Sequence, residues 1–244
     1  MAKYKILGYA PLYYGKEYLR ESLQSVVNHV DEFVVLYTEN PSYGHGTTLK
    51  CPDSEAELRA IAEEVLGPKL IWVKGQWGQE GAHRGEIYRY SGGYDGILAI
   101  DADEVYCQET LPIAIDMAMK QDRHYVGFGG YINFWRSFNN ACYDGFTPVR
   151  FMNLHRDRSG STAVVPCTVY HFSCAQSREI MDFKYEIHGH KDEIRPNWLN
   201  GIYYGDQIQD VHPTSYGLWN AVPFDKNTLP ESLKAHPNFN KDRI

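Results

Sequence analysis

Between Tyr94 and Val105 the chain reads Tyr-Asp-Gly-Ile-Leu-Ala-Ile-Asp-Ala-Asp-Glu-Val, an apolar run that ends in three acids within four residues. A short apolar run opened by glycine is the pattern of a strand buried on both faces, as in a parallel sheet. Open α/β sheets place ligands just beyond the carboxyl ends of such strands. Carboxylates crowded there repel one another in a low-dielectric cleft, and a cation relieves the repulsion. Hard oxygen donors suit Mg²⁺ or Mn²⁺, commonly one or two carboxylates completed by phosphate oxygens. The competing reading is an acidic turn or helix cap, because Asp and Glu also favour a helix N-terminus. Asp101 and Asp103 are the candidate ligands, and Glu104 is a candidate cap or orienting group.

The preceding residues supply the context. Strands are expected at Lys5 to Ala10 (closed by Pro11), Glu32 to Tyr37 and Leu70 to Val73. Between them, apolar residues recur at helical spacing over Glu17–His29 (Leu19, Leu23, Val26, Val27) and from an Asp53 cap to Leu66 (Leu58, Ile61, Ala62, Val65). A further helix over Glu80–Tyr90 precedes the acidic strand. The β-α-β-α-β-α-β order implies an α/β fold: a mostly parallel sheet with helices on both faces and right-handed crossovers. Beyond it lie an expected helix at Leu111–Met119, strands at Tyr125–Arg136, Phe146–His155 and Val169–Ser173, and a helix at Arg178–Ile187. From Pro196 onward Pro, Gly, Asn and Tyr dominate. The expected division is a catalytic domain over 1–195 and an irregular C-terminal extension over 196–244 packed on it.

Composition narrows the function. The net charge of -7 over 244 residues argues against a nucleic-acid surface. Five scattered cysteines without a C-x-x-C pair point to reduced thiols, not a disulfide frame or zinc cluster. Neither a signal-peptide pattern nor a stretch long enough to span a bilayer is evident, so a cytoplasmic protein is expected.

Four segments carry a resemblance: YAPLYYGKEYLRESLQSVVNHVDEFVVLYTEN, DSEAELRAIAEEV, GAHRGEIYRYSGGYDGILAIDADEV with its D-x-D, and HFSCAQSREIMDFKYEIHGHKDE. Together they cover about residues 4–193 and resemble the GT-A glycosyltransferases, specifically the family 2-like group and the family 17 N-glycan enzymes. The resemblance implies a metal-dependent, inverting transfer of a sugar from a UDP- or GDP-linked donor to a carbohydrate or other hydroxyl acceptor. It implies that Asp103 binds the cation directly and that Asp101 contacts ribose or metal-bound water. Pro11 and Ala102 would line the nucleotide-sugar site. Glu39, in Tyr37-Thr38-Glu39-Asn40, stands where relatives carry a nucleoside-contacting aspartate.

The remaining candidates are argued from chemistry. A neutral imidazole can complete a Mn²⁺ shell begun by carboxylates, which makes His188 and His190 candidates, each weighed against an exposed turn histidine. Arg84 and Lys184 could bind the diphosphate, or serve as solvated helix residues. An inverting transfer needs a base for the acceptor hydroxyl; Asp144, Asp192 and Glu193 are candidates, though an Asp144-Gly145 pair also suits a plain turn. Phe134, Trp135 and Trp198 could stack on a sugar or pack the core. Two other functions remain open. A nucleotidyltransferase shares the acidic site, but the loop from Pro11 to Lys16, with one Gly and one Lys, is poor for cradling a triphosphate. A non-catalytic carbohydrate-binding module could retain the fold.

Overall fold

The computed structural model of the chain describes residues 4–41, 49–158, 160–187 and 191–244. Its first half alternates strand and helix: β1 (Ile6–Leu12), α1 (Lys16–Val26), β2 (Glu32–Thr38), α2 (Glu55–Leu66), β3 (Leu70–Gly75), α3 (Glu80–Gly85) and β4 (Gly96–Ala99). The second half holds β5 (Glu104–Tyr106), α4 (Leu111–Met119), β6 (Tyr125–Trp135), β7 (Asn140–Cys142), β8 (Val149–Asn153), β9 (Ala163–Cys174), α5 (Arg178–Ile187), β10 (Val222–Pro223) and α6 (Glu231–Lys234). No helix among the described residues is long and apolar enough to cross a membrane.

The described residues fall into two compact units, one within 1–44, 53–131 and 145–170, the other within 45–52, 132–144 and 171–244. This grouping differs from a division at residue 195, since residues 171–195 join the C-terminal segment. β6 and β9 each contribute residues to both units.

In the first unit β4, β1, β2 and β3 are adjacent and parallel. The sheet continues past β4 through β8 and β6, both in antiparallel pairings. The parallel half is the part that the βα alternation encodes. Pro11 does not close β1 but lies within it, opposite Leu36. The helices dock by the stripes expected of them: Leu19, Leu23 and Val26 of α1 and Leu58 and Ala62 of α2 are all fully buried. Each of these leucine and valine side chains contributes about 1.5–3 kcal/mol on burial. The cap of α2 is Ser54, in a capping box with Glu57, and not Asp53. α3 stops at Gly85 and passes into a 3₁₀ turn at Glu86–Arg89, in keeping with the weak helix propensity of Gly81 and Gly85.

The second unit has a core of its own, in which Trp135, Cys142, Met181, Trp198, Tyr203, Val211 and Trp219 are buried. β7 pairs antiparallel with the end of β6, and β10 with β7. Residues 198–203 form one π-helical turn. A 163–174 strand replaces the short one expected at 169–173; its last third lies against this core, with Phe172 stacked on Phe134 at 4.6 Å.

Candidate active site

β4 delivers Asp101 to the carboxyl edge of the parallel strands, where residues 101–104 close a turn on themselves. The Glu104 N–H donates to the Asp101 carbonyl at 3.1 Å, and the Asp101 N–H donates to Glu104 Oε2 at 3.3 Å. Ser22 Oγ of α1 also donates to the Asp101 carbonyl. Gly15 explains how the loop after β1 approaches this turn so closely. Its φ is 130°, and a Cβ there would lie 2.6 Å from the Ala102 Cβ. Asp53 holds the loop in that position by accepting the N–H groups of Gly15 and Lys16 on Oδ2, at 2.7 and 2.9 Å.

The charges of the turn are met by two arginines. Arg84 forks onto Asp101, Nη1 to Oδ1 at 2.9 Å and Nη2 to Oδ2 at 3.1 Å, while its Nε donates to Glu80. Arg150, from β8, donates from Nη2 to Asp101 Oδ2 at 2.7 Å and bonds Glu104 through Nε and Nη2. Glu104 is fully buried and also accepts the Tyr131 hydroxyl at 3.0 Å. Burial alone would depress both guanidinium pKa values, but the carboxylates outweigh it and hold both above the ordinary value. Burial raises the phenols of Tyr9 and Tyr131, so both stay neutral.

Asp101, Ala102, Asp103 and Arg84 therefore come together, but Arg84 faces Asp101. Pro11 lies in β1, on the strand next to β4. Glu39, just past β2, forms an exposed ion pair with Lys74 at 2.5 Å. In the second unit Lys184 donates to the carbonyl and hydroxyl of Ser173, and Asp192 and Glu193 are exposed on a 3₁₀ turn at Lys191–Glu193. Asp144 accepts the Trp219 indole N–H. Phe134, Trp135 and Trp198 are core residues, each 3% exposed or less, so of the two readings it is core packing that holds. His188 and His190 lie outside the described residues.

Sequence reasoning missed Arg150, Tyr131 and the loop-holding role of Asp53. Arg150 did leave a signal, as a lone cation inside the otherwise apolar Val149–Met152. As a cation site, the donor set is Asp103, half-exposed on the turn, beside an Asp101 whose oxygens already accept three N–H bonds. Among the described residues no group of three or more His, Cys, Asp or Glu is placed to hold a metal. One carboxylate completed by phosphate oxygens is a usual Mg²⁺ arrangement, so the residues fit a cation that arrives with a phosphorylated ligand better than a resident one.

Neither a protein family model nor a curated protein matches the chain. Among solved structures it aligns in part with residues 1–349 of S. aureus TarS in complex with UDP, at 19% identity and TM-score 0.37. That alignment covers 52% of this chain and 35% of that one. It aligns with glucosyl-3-phosphoglycerate synthase from Mycobacterium tuberculosis, bound to Mn²⁺, UDP and phosphoglyceric acid, at 17% identity and TM-score 0.37 (53% and 44% covered). A third is 4-diphosphocytidyl-2C-methyl-D-erythritol synthase from Anaerococcus prevotii, at 12% identity and TM-score 0.43 (73% and 96% covered). In these alignments the chain spans less than two thirds of the TarS fragment and less than half of the mycobacterial synthase. Alignments this partial transfer no residue roles, and the site rests on its own geometry.

Proposed function

We propose that the chain is a glycosyltransferase that moves a sugar from a nucleoside-diphosphate donor to an acceptor hydroxyl, with inversion. The observation that carries this reading is the acidic turn at the carboxyl edge of β4, with Asp101 clamped by Arg84 and Arg150. That is the edge where α/β sheets bind ligands, and the clamp fixes the turn that carries Asp103. Asp103 would hold a divalent cation together with donor phosphate oxygens. When bound, such a cation offsets the negative charge that builds on the departing diphosphate. Asp101 and Glu104, matched by arginines, orient the turn. The Gly15 loop, held by Asp53, shapes the approach to Ala102. An inverting transfer also needs a carboxylate to take the acceptor proton.

Calorimetric titration with UDP and with GDP, each with and without Mn²⁺, tests the proposal. Metal-dependent binding of one of them is expected, and hydrolysis of a nucleotide-sugar panel then names the donor. Absence of metal-dependent nucleotide binding would sink it.

A further inference from the structure

The second unit buries a cation that it does not neutralise. Arg136 follows β6 and is 8% exposed. Among the described residues it forms no ion pair, and Asp206, a carboxylate whose field reaches it, stands fully in solvent. Its Nη2 donates to the Ile202 carbonyl, whereas its buried Nε has no hydrogen-bond partner among the described residues. The guanidinium carbon lies 4.7 Å from the centroid of the Trp135 ring and 5.9 Å from that of Tyr203. Ring contacts of this kind offset only part of the cost of burying an ion. Burial, and then the neighbouring charge of Arg243, lower the Arg136 pKa to about 10, so the group stays charged at neutral pH. Its backbone is left-handed at φ 59°, a conformation uncommon outside glycine.

A second guanidinium is held beside the first. The carbonyls that end the π-helical turn at 198–203 point to arginines: Ile202 accepts from Arg136, and Tyr203 accepts from Arg243 Nη2 at 2.7 Å. Gly205 also accepts from Arg243, at 3.3 Å. A Cβ on Gly205 would collide with the Gly201 carbonyl, so this glycine lets the chain double back on the turn. The Ile244 N–H donates to the Arg136 carbonyl at 2.8 Å, which fixes Arg243 next to Arg136. Arg243 Nη1 meets Asp206 at 3.9 Å, but the two side chains are 41% and fully exposed, so water screens the pair. Capping the turn uses one N–H of Arg136. It leaves the buried charge and the unpaired Nε without a counterpart.

We propose that Arg136 and Arg243 form a binding site for a phosphate group. A phosphate dianion supplies the negative charge that the two guanidinium groups lack, and its oxygens accept from their planar forks, the recognition to which arginine is best suited. A carboxylate, with a single charge, matches the pair less well. The site needs no divalent cation, unlike the turn after β4, and nothing in it rests on the proposed function.

Calorimetric titration of the full chain with inorganic phosphate, in buffer holding a chelator, tests the site; the chelator silences metal-dependent binding at the β4 turn. Saturable binding is expected, tighter than that of acetate, and the unfolding midpoint should rise with phosphate concentration. The Kd should rise about ten-fold or more in Arg136→Met and in Arg243→Gln, the loss of a charge-assisted hydrogen bond. Arg243 is the more exposed of the two, so its variant gives the answer even where Arg136→Met fails to fold. Absence of saturable binding, equal affinity for acetate, or binding that ignores Arg243→Gln overturns the proposal and leaves Arg136 as a cap of the π-helical turn. The nucleotide titration judges the other reading separately: phosphate binding without metal-dependent nucleotide binding keeps this site and removes the transferase, and the converse removes this site alone.

Discussion

Asp101 follows the last residue of β4 by two positions, and Asp144 follows the last residue of β7 by two. Both are half-buried, yet they are stabilised in opposite ways. Asp101 meets two guanidinium groups, one of which also neutralises the fully buried Glu104. Asp144 meets the neutral N–H of an indole. Pairing with arginine cancels the charge within the protein and yields a rigid turn, because a buried ion that loses its partner is severely penalised. The indole N–H orients the Asp144 carboxylate without itself contributing a charge. Asp101 is thereby part of the framework of its turn.

The largest test removes the clamp. Arg150→Met should cost about 3–5 kcal/mol of stability by urea denaturation, because Glu104 is left buried without its cation. Adding Glu104→Gln should restore part of the loss. A neutral Arg150→Met would break the comparison on the Asp101 side.

Next in size, Asp103→Asn should lower metal-supported turnover by about 100-fold or more while leaving the unfolding midpoint within about 0.5 kcal/mol. That outcome separates the ligand role of Asp103 from the framework role of Asp101, whose substitution should disturb both readouts.

A smaller effect tests the field of Asp144 at His212. Burial depresses the His212 pKa below its ordinary 6.5, and the Asp144 carboxylate opposes that shift. Asp144→Asn should therefore push it lower still, as followed by NMR titration of the imidazole. The linkage has a definite sign. With its folded pKa below the unfolded value, His212 contributes stability that is present above about pH 6.5 and is lost as pH falls through the folded pKa.

The smallest effect concerns an exposed carboxylate outside both regions. Lys16 and Ser54 hold Glu57 down at about 2. Its contribution is present above about pH 4.3 and is lost as pH falls toward 2. Glu57→Gln should flatten the acid limb of a pH–stability curve in that window and leave the slope above pH 5 unchanged.

The parts legible in the sequence were those with a local signature. The apolar run of β4, the helical spacing of Leu19, Leu23 and Val26, and the alternation of strand with helix gave the parallel half of the sheet. The antiparallel continuation through β8 and β6 was not legible, since nothing in either strand specifies its neighbour. Cap chemistry was misread by one residue: Ser54 caps α2, and Asp53 turns to the Gly15 loop, 38 residues away in the chain.

Local residue pattern, on its own, placed three acids at the ligand edge of an α/β sheet and Arg84 on the helix before them, because strand burial and helical period are short-range properties. Only the tertiary structure decided that Arg84 faces Asp101, that Arg150 joins them from 49 residues further on, and that Trp219 reaches Asp144 across 75. The reason is physical: a buried charge is satisfied by whichever partner the packed chain brings within hydrogen-bond reach, and sequence spacing does not encode that partner.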